Sequence, residues 1–158
     1  MRILGIDPGL SATGYGILQD GRVVEYGTIT TETSESQPER LRSLGAGLDE
    51  VIARNEPEAC AIETLFFKGG GARSVIRSAE ARGAILLTLG RCRIPVTELT
   101  PATIKLSLTG SGRASKHQMN YMVRSILGLG SRVPEHSADA LAAAYCLSRR
   151  GPGRGRQR

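Results

Sequence analysis

The chain reads as a single α/β domain, strand-rich at its start and then alternating helices with short buried strands. Three observations carry that reading. Ile3, Leu4 and Ile6 are the apolar material of a buried strand, and Asp20-Gly21 lies between two β-rich runs, Thr13 to Gln19 and Arg22 to Thr30, which is a strong hairpin signal. Beyond Pro38, apolar residues recur at helical spacing and are interrupted by only two short strand-like runs, Ala59 to Glu63 and Ile94 to Leu99. At 158 residues the chain can bury one real core but is too short for two ordinary domains.

Taken in order, the first strand stops at Asp7, where Pro8 cannot donate to a sheet ladder and Gly9 permits a sharp exit. With the hairpin behind it, the first three strands form an antiparallel meander. Pro38 opens a helix in which Leu41, Leu44, Leu48, Val51 and Ile52 make one face, ending near Asn55 before Pro57. After the fourth strand, Phe66, Phe67 and Lys68 precede Gly69-Gly70-Gly71, a loop whose aromatic, basic and glycine content suits nucleic-acid contact. A helix follows from Arg73 to Leu89, with Val75, Ile76, Ala79, Gly83, Leu86 and Leu87 read as inward and its arginines as outward. Thr100-Pro101 caps and starts a helix running to about Leu108. Ser115 caps another, with Met119, Met122, Val123, Ile126 and Leu127 as its apolar stripe, and the last helix, rich in alanine, spans Glu135 to about Arg149. Residues 1–148 are thus the folded domain and 149–158 a basic, disordered tail without apolar side chains beyond the helix end.

The net charge of +6 is unevenly placed. Residues 1–64 carry 5 Lys/Arg against 11 Asp/Glu, and residues 65–118 carry 9 against 2. A contiguous basic segment favours a polyanionic partner such as nucleic acid, although a solvated helix face is the plainer alternative. Cys60, Cys92 and Cys146 are odd in number and lack metal or disulfide spacing, so they read as small buried hydrophobes in a reducing compartment. With no apolar run approaching the roughly 20 residues that span a bilayer, the expected location is the cytoplasm.

Asp7 is the residue to explain. A carboxylate at the end of a buried strand is either a turn-forming aspartate or a metal ligand. Glu63 repeats the context at the end of the fourth strand, and His136 and Asp139, three apart, share one face of the first turn of the last helix. Read singly, each has a bland explanation, a turn or a helix-dipole contact. Together, negative charges on three segments repel unless a cation joins them, which points to a divalent-metal site. Two such ions, about 4 Å apart, activate water and stabilise the leaving oxygen in phosphodiester hydrolysis.

Gly-Ile-Asp-Pro-Gly with Thr-Gly-Tyr-Gly behind it, Ala-Ile-Glu-Thr-Leu-Phe-Phe, Ala-Arg-Gly and Ala-Asp-Ala-Leu-Ala resemble the RuvC family of bacterial Holliday-junction resolvases over nearly all of residues 1–148. The resemblance implies an RNase H-like fold, a five-stranded mixed sheet flanked by helices. It implies a homodimer that makes paired symmetric nicks in four-way junction DNA during recombination and repair, with RuvA and RuvB as branch-migration partners. It implies Mg²⁺ or Mn²⁺, two per site, held by Asp7, Glu63, His136 and Asp139. His136 stands where many relatives carry aspartate, and its nitrogen donor favours Mn²⁺. Phe66, Lys105 and Lys116 match family positions that engage DNA, while Lys68, Arg73 and Arg77 are added here from charge and position. Two other readings compete. Gly-Ile-Asp-x-Gly also occurs in actin-like ATPases and sugar kinases, but those need two such domains. A non-catalytic basic DNA-binding module fits the charge and leaves the three carboxylates without a purpose.

Overall fold

The two-residue Asp20-Gly21 connection adopts positive φ at both positions, 51° and 80°, as a tight hairpin turn with native strand twist requires. It joins β2 (Ala12–Gln19) to β3 (Arg22–Thr30), and β2 also pairs antiparallel with β1 (Arg2–Asp7), giving the expected meander. The computed structural model describes residues 1–64, 71–130 and 133–150. In it, β4 (Ala59–Glu63) joins β1 in parallel and β5 (Val96–Leu99) joins β4 in parallel, so the mixed sheet has the order β3-β2-β1-β4-β5. Five helices complete the described residues: α1 (Gln37–Asn55), α2 (Ala72–Arg91), α3 (Pro101–Thr109), α4 (Lys116–Leu127) and α5 (Glu135–Arg150).

Side chains alternate across a strand, so each face of the sheet has its own core. Leu4 and Ile6 of β1 and Cys60 and Ile62 of β4 pack with Leu44, Leu48 and Val51 of α1 and Ala81, Ile85 and Leu89 of α2. Ile3 and Ala61 face the other way, onto Ala138, Leu141, Ala142 and Ala144 of α5, with Ile104 of α3 and Met119 and Val123 of α4 behind them. The alanines of α5 let it lie directly on the middle strands. A Cβ at Gly5 would overlap the Ala140 carbonyl oxygen, and one at Gly14 would overlap that of His136. These two positions tolerate only glycine because a helix backbone occupies the side-chain space.

The structure corrects several expectations. On α2 the buried stripe is Ala81, Arg82, Ile85, Thr88 and Leu89, whereas Ile76 and Leu87 are exposed and Gly83 faces solvent. This helix carries two apolar faces, and the sheet takes the one the spacing did not select. Arg82 points inward because its guanidinium bonds the Glu63 carbonyl and pairs with Glu98. Cys92 is exposed at the end of α2, unlike buried Cys60 and Cys146. Ile126 on α4 is also exposed. Ile94 is buried just outside β5, which starts at Val96, and α5 continues through Arg150, two residues past the expected domain end. The rest of the tail, with Phe66 and Lys68, lies outside the described residues.

A polar bracket ties β2, β3 and α1 together. Glu25 accepts from Arg54, from Asn55 Nδ2 at 2.7 Å and from the Tyr15 hydroxyl at 2.8 Å. Chiefly through Arg54, these donors hold its carboxyl down at about 2. A depressed carboxyl adds stability that is complete above its unfolded value and vanishes as the pH falls through the folded one. Glu25→Gln should therefore destabilise the fold by about 1–2 kcal/mol at neutral pH. The gap between the two proteins should close between about pH 4.5 and pH 2 in denaturation experiments; a gap independent of pH would disprove the bracket.

Candidate active site

The register that sets Ile6 of β1 beside Ile62 of β4 brings the next residues, Asp7 and Glu63, to neighbouring strand ends. Both lie on the same face as Gly5 and Ala61, the face covered by α5. Because α5 seats on Gly14 through the backbone of His136, its first turn reaches over those ends. His136 Nδ1 is 2.7 Å from Asp7 Oδ2. Asp139, one turn on, lines a cleft with Glu63, Lys105, Lys116, Pro101 and Met119. Arg73 and Arg77 line a second cleft on the other side, with Gly9 and His136. The described sequence-predicted residues therefore gather along one edge of the sheet, Lys105 and Lys116 to one side and Arg73 and Arg77 to the other.

Lys116 is placed by its cap. Ser115 accepts from Gln118 N at 3.2 Å and Gln118 Oε1 accepts from Ser115 N at 2.8 Å, a capping box that fixes the start of α4. From there the ammonium pairs closely with Glu135 and lies 3.4 Å from Asp139 Oδ2. Glu135 raises the Lys116 pKa, and Lys116 lowers that of Glu135. Burial pushes the Asp7 carboxyl up, against the hydrogen bond from His136. Burial likewise raises Asp139, with repulsion from Asp7 adding to it and Lys116 opposing. The two aspartates thus sense each other across the α5 start.

Sequence reasoning missed three contributors. Arg82 donates to the Glu63 carbonyl at 3.1 Å and pairs with Glu98 at 2.8 Å, anchoring the end of β4. Its Ala-Arg-Gly context marks it only through the family. Glu135 competes with Asp139 for Lys116, and an acidic first helical residue was the available signal. Arg40, buried behind Gly9 to Ala12, carried none.

Among the described residues, no three His, Cys, Asp or Glu side chains stand close enough to hold an ion as they are turned. Asp7 faces His136, and Asp139 faces Lys116. The donor chemistry nonetheless fits a divalent cation. Asp7 and Glu63 end paired strands, Asp7 and Asp139 repel each other, and the carboxyls of both aspartates are raised by burial as hard oxygen donors short of positive charge would be.

Fold and site together define an RNase H-like nuclease. A family model described as crossover junction endodeoxyribonuclease RuvC matches residues 3–147. A crossover junction endodeoxyribonuclease RuvC of Halorhodospira halophila is 45% identical over 148 residues, covering 92% of this chain and 88% of the relative. One from Chloroflexus aggregans is 43% identical over 157 residues, covering 96% and 95%. Thermus thermophilus RuvC, solved in complex with Holliday junction substrate, superposes with a TM-score of 0.85 at 35% identity, covering 92% of both chains. The chain belongs to the RuvC family of crossover junction endodeoxyribonucleases.

Carboxyls raised by burial and repulsion oppose folding above their folded pKa, and the penalty disappears on acidification once they are protonated in both states. Asp7→Asn and Asp139→Asn should therefore raise the melting temperature of metal-free protein at pH 7. The gain should shrink as the pH falls toward about 4. A lower melting temperature for both variants at pH 7 would show that the pairs with His136 and Lys116 outweigh burial.

Proposed function

We propose that this protein resolves Holliday junctions by paired symmetric nicks, each a metal-dependent phosphodiester hydrolysis at the edge formed by Asp7, Glu63, His136 and Asp139. The observation that carries the reading is the in-register ending of β1 and β4 on two carboxylates beneath a helix that brings a third, in a chain of this family. Asp7, Glu63 and Asp139 would hold Mg²⁺ or Mn²⁺, with His136 either completing the set or orienting Asp7 through the 2.7 Å contact. Bound there, the metal supplies an activated water and stabilises the leaving oxygen. The chain's own residues hold the substrate. Lys105 and Lys116 face the strand from the Glu63 side and Arg73 and Arg77 from the His136 side, while the family resemblance assigns Phe66 to the junction centre and charge adds Lys68 as a further DNA contact.

Paired nicks need two copies, and α2 supports a homodimer. Ile76 and Leu87, eleven residues apart and so on one helix face, are 57% and 65% exposed. Between α1 and α2 runs a shallow groove lined by Leu41, Gly45, Ala46, Gly83, Ala84 and Leu87, with four charged side chains also in the lining. Small residues beside the exposed Leu87 suit a second copy of the same face. RuvA and RuvB remain the partners that family membership implies.

Cleavage of a synthetic four-way junction, with and without divalent metal, tests the central reading. Asn or Gln at Asp7, Glu63 or Asp139 should lower cleavage at least about 100-fold while junction binding survives; near-normal cleavage by any one of them sinks the shared site. His136→Asp should shift the preferred ion from Mn²⁺ toward Mg²⁺, and an unchanged preference would leave His136 as the orienting group for Asp7. Leu87→Asp should sediment as a monomer, nicking one strand where the parent makes paired cuts, and a dimeric Leu87→Asp protein would place the interface elsewhere.

A further inference from the structure

We propose that Arg40, resting on the reading above, seats a non-scissile backbone phosphate of the junction in the cleft beside the Asp7–His136 pair. The residue is 6% exposed. Nε donates to Thr31 Oγ1 at 2.9 Å and Nη2 donates to Ser11 Oγ at 2.9 Å, and Thr31 in turn donates to the Leu10 carbonyl at 2.7 Å. Both acceptors are neutral hydroxyls, and among the described residues no carboxylate pairs with this guanidinium. A guanidinium does not lose its proton in proteins, so the charge stays and needs an anion.

The cleft that Arg40 lines supplies the place. It measures about 560 Å³, and its other polar side chains are Arg73, Arg77, Ser74, Ser78, Ser11 and His136, with no Asp or Glu among the described lining. One fixed guanidinium, that of Arg40, with two exposed ones and hydroxyls around it matches the charge and hydrogen-bond acceptors of a phosphodiester. The hydroxyls hold Arg40 Nε and Nη2 and leave Nη1 without an acceptor among the described residues. Arg73 and Arg77 are exposed and can follow the DNA, whereas Arg40 is preset by the β1–β2 turn that follows Asp7. The cleft includes His136 but neither Glu63 nor Asp139, so the phosphate it takes is not the one being cut. Seating it fixes the strand on one side of the carboxylates, as Lys105 and Lys116 do on the other.

The test is the salt dependence of metal-free binding to a four-way junction by the full-length chain. Each phosphate contact contributes about 0.9 to the slope of log affinity against log salt. Arg40→Gln should lower that slope by about one such contact, while Arg40→Lys, which keeps the charge, should retain it. An unchanged slope in folded Arg40→Gln overturns the proposal, and so does an equal loss in both variants, which would mark distortion of the turn. Should Arg40→Gln fail to fold, the Arg40 Nε–H resonance of the parent protein decides, shifting on addition of junction if the phosphate sits there and staying put if it does not. Failure of the parent to bind or cut the junction would strike the functional reading itself, which these comparisons leave separate.

Discussion

Everything at the site depends on one backbone constraint, the parallel pairing of β1 with β4 in a register that ends both strands on a carboxylate facing the same side. Strand alternation then leaves no choice about where Asp7 and Glu63 point. That side is closed by α5, and the closeness of the closure follows from absent side chains: Gly5 and Gly14 below, a run of alanines above. A methyl group at either glycine would lift the helix that carries His136 and Asp139. Placement of a third acidic group over two others is therefore a property of backbone packing, set at Gly5 and at Gly14, the cross-strand partner of Asp7.

Placing those charges together has consequences for the surroundings. Asp7 and Asp139 are raised by burial, Asp7 pairing with His136 and Asp139 with Lys116, which also acts on Asp7. Lys116 is divided between Glu135 and Asp139, an arrangement that a metal ion or a phosphate could readily alter by competing for either partner. Lys105 and Lys116 share a cleft with Glu63 and Asp139, whereas Arg40, Arg73 and Arg77 line a second cleft with no Asp or Glu among its described lining. A polyanionic strand would thus be attracted from both sides toward an edge that, without metal, repels it.

Much of this was legible in the sequence because local chemistry and global fold agree. Asp20-Gly21, the Thr100-Pro101 and Ser115 caps and the carboxylates at strand ends each depend on a few neighbouring residues, and each appears in the structure where expected. The inward face of α2 was misread because helical periodicity finds apolar stripes without saying which neighbour covers them, and this helix has two. Arg82 and Arg40 escaped for a related reason. A buried arginine is defined by partners distant in sequence, Glu63 and Glu98 for one and Ser11 and Thr31 for the other. Arg40 also lies in the acidic half of the chain, where a search for basic runs finds nothing. The convergence of Asp7 and Asp139 was inferred from shared context, whereas the turning of their side chains toward His136 and Lys116 depends on tertiary geometry that no spacing encodes.

The most direct measurement of the central claim, that Asp7, Glu63 and Asp139 form one cation site, is the anomalous scattering of Mn²⁺ soaked into crystals of the protein. The expected result is a peak within coordination distance of carboxylate oxygens from all three residues, with Lys116 displaced from Asp139. Absence of a peak there at saturating Mn²⁺, or a peak that touches only one of the three, would contradict a shared site.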